Sequence, residues 1–181
     1  MSESRAGRPK ASSRDTIAEA ACELFLERGY EQTSIADIAA RSGVSRSSFF
    51  NYFATKADLL WGGFDERVDA AAAALVRDED VRAAVTTAFD GFAPDSLALA
   101  IANAATMGIS DELGRERALR QARLGDAMAE RLRSDGVGPL EADVRATAAA
   151  GAVVAAVWEW ARAGSGRTDL SEVLSEALAV A

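Results

Sequence analysis

Apolar residues recur at helical spacing along most of the chain. Over residues 13–28, Ile17, Ala20, Ala21, Leu24 and Phe25 fall on one face at a period of 3.6, which predicts a helix. Ser12 and Asp15 have the spacing of a capping box at its start, and Gly29 suits the left-handed position that ends it. A short second helix is expected from Ser34, with Asp37 as capping partner and Ile35, Ile38 and Ala39 as its apolar face. The stretch "RSGVS" then breaks the pattern. Gly43 can take the positive φ of a tight turn, and Ser45 is a ready N-cap for a third helix reaching about Tyr52. Val44 and Phe49 occupy the positions of a hydrophobic staple around that N-cap. Thr55 with Asp58 forms another capping box, opening a long helix to about Arg77.

The remainder is read as helical to its end. Val81, Val85, Phe89 and Phe92 predict a helix before Pro94, and a second run covers roughly 96–109. A third, capped by Ser110, extends over about 111–133, with Leu124, Met128 and Leu132 at i, i+4, i+8. An alanine-rich helix over about 140–163, a "GSGR" turn and a helix striped by Leu170, Val173, Leu174 and Leu178 complete the chain. Few segments carry the β-branched and aromatic enrichment of strands, so the fold class is all-α. Within it, residues 34–52 hold two short helices joined by a glycine turn and preceded by a longer helix. That is the helix-turn-helix layout, in which the second short helix enters the DNA major groove.

Composition narrows the chemistry. Hydrophobic residues make up 49% of the 181 positions, enough for a core, and only 3 are proline. The single cysteine, Cys22, excludes an internal disulfide and fits a reducing compartment; within its apolar run it reads as a small buried hydrophobe. There is no histidine, which argues against a metal effector. With one buried cysteine, scattered carboxylates and no phosphate-cradling glycine loop, little catalytic equipment is left, so neither an enzyme nor a cofactor is expected. The uncharged run "ATAAAGAVVAAVW" spans 13 residues, 146–158, short of the roughly 17–25 that cross a bilayer. The basic N-terminus is not followed by the apolar stretch of a secretion signal. A soluble, cytoplasmic protein without membrane contact is expected.

Net charge changes the picture only when the chain is divided. The formal charge of −8 argues against a nucleic-acid partner if spread evenly. Residues 1–60, however, hold 8 of the 20 basic and 8 of the 28 acidic side chains, so the whole acidic excess lies in 61–181. The first fourteen residues carry Arg5, Arg8, Lys10 and Arg14 against Glu3 alone. Such asymmetry points to two jobs in one chain.

The stretch "TSIADIAARSGVSRSSFFNYFATKADLL", residues 33–60, resembles the DNA-binding signature of the tetracycline-repressor (TetR) family of bacterial transcription regulators. The capped second helix, the "GVS" turn, an aromatic-rich recognition helix ending in "YF" and a lysine opening the next helix all stand at matching positions; the preceding helix fits as well. The resemblance implies phosphate contacts from Thr33, Tyr52 and Lys56, and base or groove contacts from Ser45, Arg46, Ser47 and Asn51. Ser34 and Phe50 complete the expected DNA face. One departure stands out: where the family commonly has "LY", this chain has Phe49-Phe50. Without a hydroxyl, Phe50 loses the usual phosphate contact, and apolar contact with a thymine methyl is the alternative. Three segments follow: a basic flexible arm (1–12), a DNA-binding head (13–60), and an effector-binding and dimerisation domain (61–181). The arm either adds contacts to double-stranded DNA or is a solubilising tail.

Family members are symmetric dimers on palindromic operators, so a homodimer is implied, with the last two helices as the seam. The alanines and glycines of "ATAAAGAVVAAVWEW" permit close backbone approach, and valine, leucine and Trp160 would fill the contact. A small, largely apolar or aromatic effector is implied between the middle helices. Trp61, Phe64, Phe89, Phe92, Ile101, Met107, Met128 and Trp158 are its candidate lining, although such a set also suits plain core. The stretch "SDELGRERALRQARLGDAMAERL", with the later "AAVWEW", faintly resembles mycofactocin-regulator-like members; there Arg117, Arg120 and Arg123 would either meet ligand phosphates or form a solvated face. The function so implied is a ligand-responsive regulator, a repressor released by its effector. The competing reading is a helical interaction protein that has lost specific DNA binding.

Overall fold

The computed structural model describes residues 13–77, 79–93, 95–164 and 167–181. The expected basic arm, residues 1–12, lies outside them, as does Ser12, the proposed first N-cap. Among the described residues the chain is helical with no strand. It runs as α1 (Ser13–Arg28), α2 (Ile35–Ser42), α3 (Arg46–Phe50), α4 (Asp58–Val76) and α5 (Val81–Phe89). After these come α6 (Ser96–Ala102), α7 (Ala104–Met107), α8 (Ser110–Ser134), α9 (Pro139–Arg162) and α10 (Leu170–Ala179).

The first three helices close on the residues that the periodicity selects. Ile17, Ala20, Ala21, Leu24 and Phe25 of α1 are buried together with Ile38 and Ala39 of α2 and Phe49 of α3. Gly29, at φ 87, ends α1 in the left-handed region, and the next amide, Tyr30 N–H, donates to Met107 O at 2.7 Å. This bond ties the C-terminus of α1 to α7. Arg41 on α2 donates to Glu27 and Glu23 of α1, at 2.8–3.2 Å, holding the two helices in register.

Boundaries differ from expectation at four places. α3 stops at Phe50, with Asn51 as its C-cap, so Tyr52 lies in the turn beyond it. The Thr55–Asp58 reciprocal bonds are present, at 2.9 and 3.2 Å, but they close a turn; α4 starts only at Asp58. The run over 96–109 is two helices, because Asn103 breaks it and Nδ2 of Asn103 donates to Leu99 O at 2.9 Å. The amide of α8's Leu113 is taken by Ile109 O after a left-handed Gly108, so Ser110 is inside that helix rather than its cap.

The core is continuous from head to body. α9 is the central post, packed by α8, α10 and α6, with Ala146, Ala150, Val153, Val154, Val157, Trp158 and Trp160 turned inward. α4 touches α1 as well as α5, α6 and α8, so it is shared between the head and the rest. Burying about 45 apolar side chains, at roughly 25 cal/mol per Å² of apolar surface, is the dominant stabilising term. Helix ends are met by side chains: Arg82 reaches Leu178 O and Ser175 O at the end of α10, and Arg67 reaches Ala88 O and Asp90 O at the end of α5. Among the described residues, no helix is long and apolar enough to cross a membrane.

Candidate nucleic-acid interface

The α2–turn–α3 unit is fixed by caps that the sequence writes locally. Ser34 and Asp37 exchange bonds at the start of α2: Ser34 N–H donates to Asp37 Oδ2 at 2.9 Å and Asp37 N–H to Ser34 Oγ at 3.2 Å. The shared bonds with Ser34 lower the affinity of Asp37 for its proton. Gly43, at φ 71, makes the left-handed turn, in a space where no other atom lies within 4 Å of a would-be Cβ; backbone conformation alone selects glycine there. Ser45 caps α3 by accepting from Ser48 N–H at 3.0 Å, and its hydroxyl also meets those of Ser47 and Ser48. Phe49, fully buried, and Phe53 anchor the segment, their rings 5.7 Å apart.

What remains on the outside is one polar and aromatic face. Ser45, Arg46, Ser47, Phe50, Asn51 and Tyr52 are all exposed, and Ser34 lies exposed at the start of α2. Phe50 and Tyr52 are 49% and 45% accessible among the described residues, high values for large rings. The Phe50 ring stands edge-on to Phe49 at 5.4 Å, so an aromatic ring is held outward from the core. Arg46 has no carboxylate partner among the described residues. Base-edge donors and acceptors, a free guanidinium and apolar surface are thus gathered at one end of the molecule.

Two expected contacts are placed differently. Thr33 is 1% exposed, and its hydroxyl donates to Gly29 O at 2.8 Å, so its side chain closes the α1–α2 loop and is not available to a phosphate. Lys56 also turns inward. Its ammonium donates to Tyr30 O at 2.7 Å and Thr33 O at 3.2 Å and sits 3.9 Å from the Tyr30 ring centre. A lysine ahead of a helix start, unfavourable for the dipole, is matched here by internal carbonyls and a ring. Burial pulls the Lys56 ammonium below its ordinary pKa, with Glu31 and Glu112 acting against that. Neither bond was legible in the sequence, because both depend on how the 29–33 loop folds over position 56.

The eight residues expected around an effector fill space instead of lining it. Trp61, Phe64, Phe89, Phe92, Ile101, Met107, Met128 and Trp158 are each no more than 8% exposed. Their rings interlock as Trp158–Trp61–Phe64–Phe89–Phe92, with centroids 5.5–6.1 Å apart, the spacing of packed edge and tilted contacts. Clefts of about 570 and 210 Å³ lie elsewhere, one over the small residues where α8 crosses α9 and one between α1, α4 and α6. Trp160 is likewise internal, its Nε1–H donating to Thr168 O at 3.1 Å, so it does not fill an outward seam. The α8 arginines divide: Arg120 is bidentate to Asp65 and also paired with Glu116, Arg123 is paired with Asp69, and Arg117 lies over Trp158. Cys22 is buried, which raises its thiol pKa, with Ser96 acting in the opposite direction. No group of three or more potential metal ligands occurs among the described residues.

These features define an all-helical protein with a helix-turn-helix head. Residues 17–60 match the family model of bacterial regulatory proteins of the tetR family. The match covers the helix-turn-helix head alone, from α1 to the start of α4. It is 39% identical over 62 residues to MftR of Mycobacterium tuberculosis, named for the regulation of mycofactocin biosynthesis; the match covers 34% of this chain and 31% of that one. It is 36% identical over 67 residues to the transcriptional repressor ComR of Escherichia coli, covering 37% and 32%. Thus the chain matches only about a third of the length of these relatives. Both relatives are named as transcription regulators and neither as an enzyme. Across nearly the full chain, the fold is that of a tetR-family regulator from Syntrophomonas wolfei, with 18% identity, 93% and 92% coverage and a TM-score of 0.61. The fatty acid degradation regulator FadR of Bacillus halodurans shares it at 22% identity, 96% coverage of both and a TM-score of 0.54.

Proposed function

We propose that this chain is a cytoplasmic, ligand-responsive transcription regulator, a repressor that binds a palindromic operator as a homodimer. The observation that carries the reading is the outward face of α3 and the turn after it. Arg46, without a carboxylate partner among the described residues, stands with Ser45, Ser47, Asn51 and Tyr52 on a segment whose inner side is pinned by Phe49 and Phe53. Hydroxyls and the guanidinium read base edges or hold phosphates, Tyr52 meets the backbone, and Phe50 supplies the apolar contact that a thymine methyl accepts. A small, largely apolar effector releases the operator by wedging into the Trp61–Trp158–Phe64 cluster where α4 meets α9, repacking α4 and with it the separation of the two heads. The packed state of that cluster makes this a displacement of core rings, not occupation of a ready cavity.

Fluorescence anisotropy against the DNA upstream of its own coding region tests the DNA reading. Expected are a preference of at least about 10³ over random DNA and an affinity that falls steeply as salt rises. Arg46→Ala or Tyr52→Ala weakens binding about tenfold or more while leaving the melting temperature unchanged, since both side chains are exposed. Equal affinity for random DNA at moderate salt defeats the proposal and leaves the helical interaction protein as the reading.

A further inference from the structure

The body of the molecule is rich in acid, and nearly every arginine there has a taker. Arg77, Arg115, Arg120, Arg123, Arg131, Arg133 and Arg145 each pair with a carboxylate, and Arg67 and Arg82 donate to helix-end carbonyls. Arg117 and Arg162 differ. The Arg117 guanidinium lies 4.8 Å from the Trp158 ring centre and, among the described residues, meets no carboxylate within 4 Å. Arg162 stands one turn beyond Trp158 on α9, on the same face, exposed and unpaired; Glu159, three residues before it, does not reach it. One turn either way along α8 from Arg117 are Leu113 and Gln121, which bring no negative charge.

The two cations also feel each other. Burial, and after it the charge of Arg162, lowers the pKa of Arg117 from its ordinary value. Two like charges near one indole, Arg117 over its ring on α8 and Arg162 one turn along α9, the first of them partly desolvated, are unfavourable unless something negative completes them. The indole beneath Arg117 fixes the plane of the guanidinium, leaving its N–H edge free to meet an anion in the bidentate manner of arginine.

We propose that Arg117, over Trp158, and Arg162, one turn beyond Trp158 on α9, form a binding site for an oxyanion, the phosphate or carboxylate end of a small organic acid. The site is separate from the DNA face and needs no operator to bind. Its regulatory meaning rests on the effector reading: Trp158 touches Trp61 of α4 at 5.7 Å, so an acid seated here presses on the helix that carries the head.

Calorimetry on the full chain without DNA tests it, with sodium pyrophosphate and sodium octanoate as probes and sodium chloride at matched ionic strength as control. Saturable binding of either probe, with a change in tryptophan emission, is expected; which probe binds tells phosphate from carboxylate. Arg117→Gln and Arg162→Gln each weaken binding at least tenfold, whereas Arg123→Gln, whose partner is Asp69, leaves it within twofold. Arg162→Gln keeps the test valid if the Arg117 variant does not fold, because Arg162 is exposed. No saturable binding of either probe, or unchanged binding in Arg162→Gln, overturns the proposal. So does a loss of self-association in Arg162→Gln without anion binding in the wild type, which assigns the pair to a contact between copies. Since no DNA is present, these outcomes are independent of whether the chain recognises an operator.

Discussion

Lys56 shows how a single side chain can carry a different load from the one its position advertises. Its two carbonyl bonds, to Tyr30 and Thr33, and its place over the Tyr30 ring staple the α1–α2 loop to the start of α4. Hydrogen bonds to a charged donor are worth about 1.5–3 kcal/mol each when broken at a partly buried site. Lys56→Met should therefore lower the melting temperature, while the slope of log K against log salt for DNA binding stays as in wild type. A phosphate contact makes the opposite prediction: unchanged melting and a slope reduced by about one. Thermal denaturation and a salt titration on the same preparation decide, and the second pattern would return Lys56 to the DNA face. Arg46 and Phe50 are legible in the sequence because exposure on a short helix follows from period alone. Thr33 and Lys56 are not, because loop carbonyls leave no trace in the spacing of side chains.

Among the elements, α4 carries an unusual pair, Gly62 and Gly63, in the second turn of a 19-residue helix. A Cβ on Gly62 would come 2.5 Å from Arg14 Nη2, the far end of a flexible side chain. A Cβ on Gly63 would come 2.5 Å from Asp95 Oδ2. Asp95 is not free to retreat: its Oδ1 accepts from Leu97 and Ala98 N–H at 3.0 and 3.1 Å, capping α6. Burial raises its pKa, while those backbone bonds act against that shift. The two glycines thus have different reasons to exist. Gly62→Ala should stabilise by up to about 1 kcal/mol of helix propensity, as Arg14 swings aside. Gly63→Ala should destabilise by about 1–3 kcal/mol, through a displaced cap and separation of α4 from α6. Urea denaturation of both variants checks the contrast, and equal effects would refute it. Helix existence was readable almost everywhere along the chain, because caps such as Ser34–Asp37 and Ser45 are written locally. The break at Asn103 was not, since the apolar pattern of 96–109 runs through it and the Asn103 side chain's bond back to Leu99 O leaves no trace in that spacing.

At the scale of the whole molecule, the undecided matter is which surface meets a second copy. The family resemblance implied the last two helices, α9 and α10, as the seam, with Trp160 among the filling residues. The structure divides its faces. Val153, Val154, Val157 and Trp160 belong to the chain's own core, whereas Leu140 is 79% and Val144 60% exposed, with Ala155 open further along the same side. Gly151 falls on that side too, where a Cβ would come 3.4 Å from Gln121 Nε2 on α8, and Ala118, Ala122 and Gly125 of α8 line the adjoining cleft of about 570 Å³. α10 keeps Leu170 and Leu174 inside and turns Glu172, Ser175 and Glu176 outward, so α9 with α8 offers the more apolar contact. Exposed large aliphatics beside a strip of small residues are costly to leave in water and allow backbones to approach closely. The homodimer of the proposed function is therefore expected to form across this face. Val144→Glu places an unpaired charge at its centre and, being exposed in the single chain, leaves the chain's own fold intact. Sedimentation should show wild type as a dimer at micromolar concentration and Val144→Glu as a monomer with unchanged helicity. Affinity for a full palindrome should drop to that for a single half-site, because the effective concentration of the second head is lost. A Val144→Glu protein that stays dimeric and keeps wild-type operator affinity would move the seam to another surface.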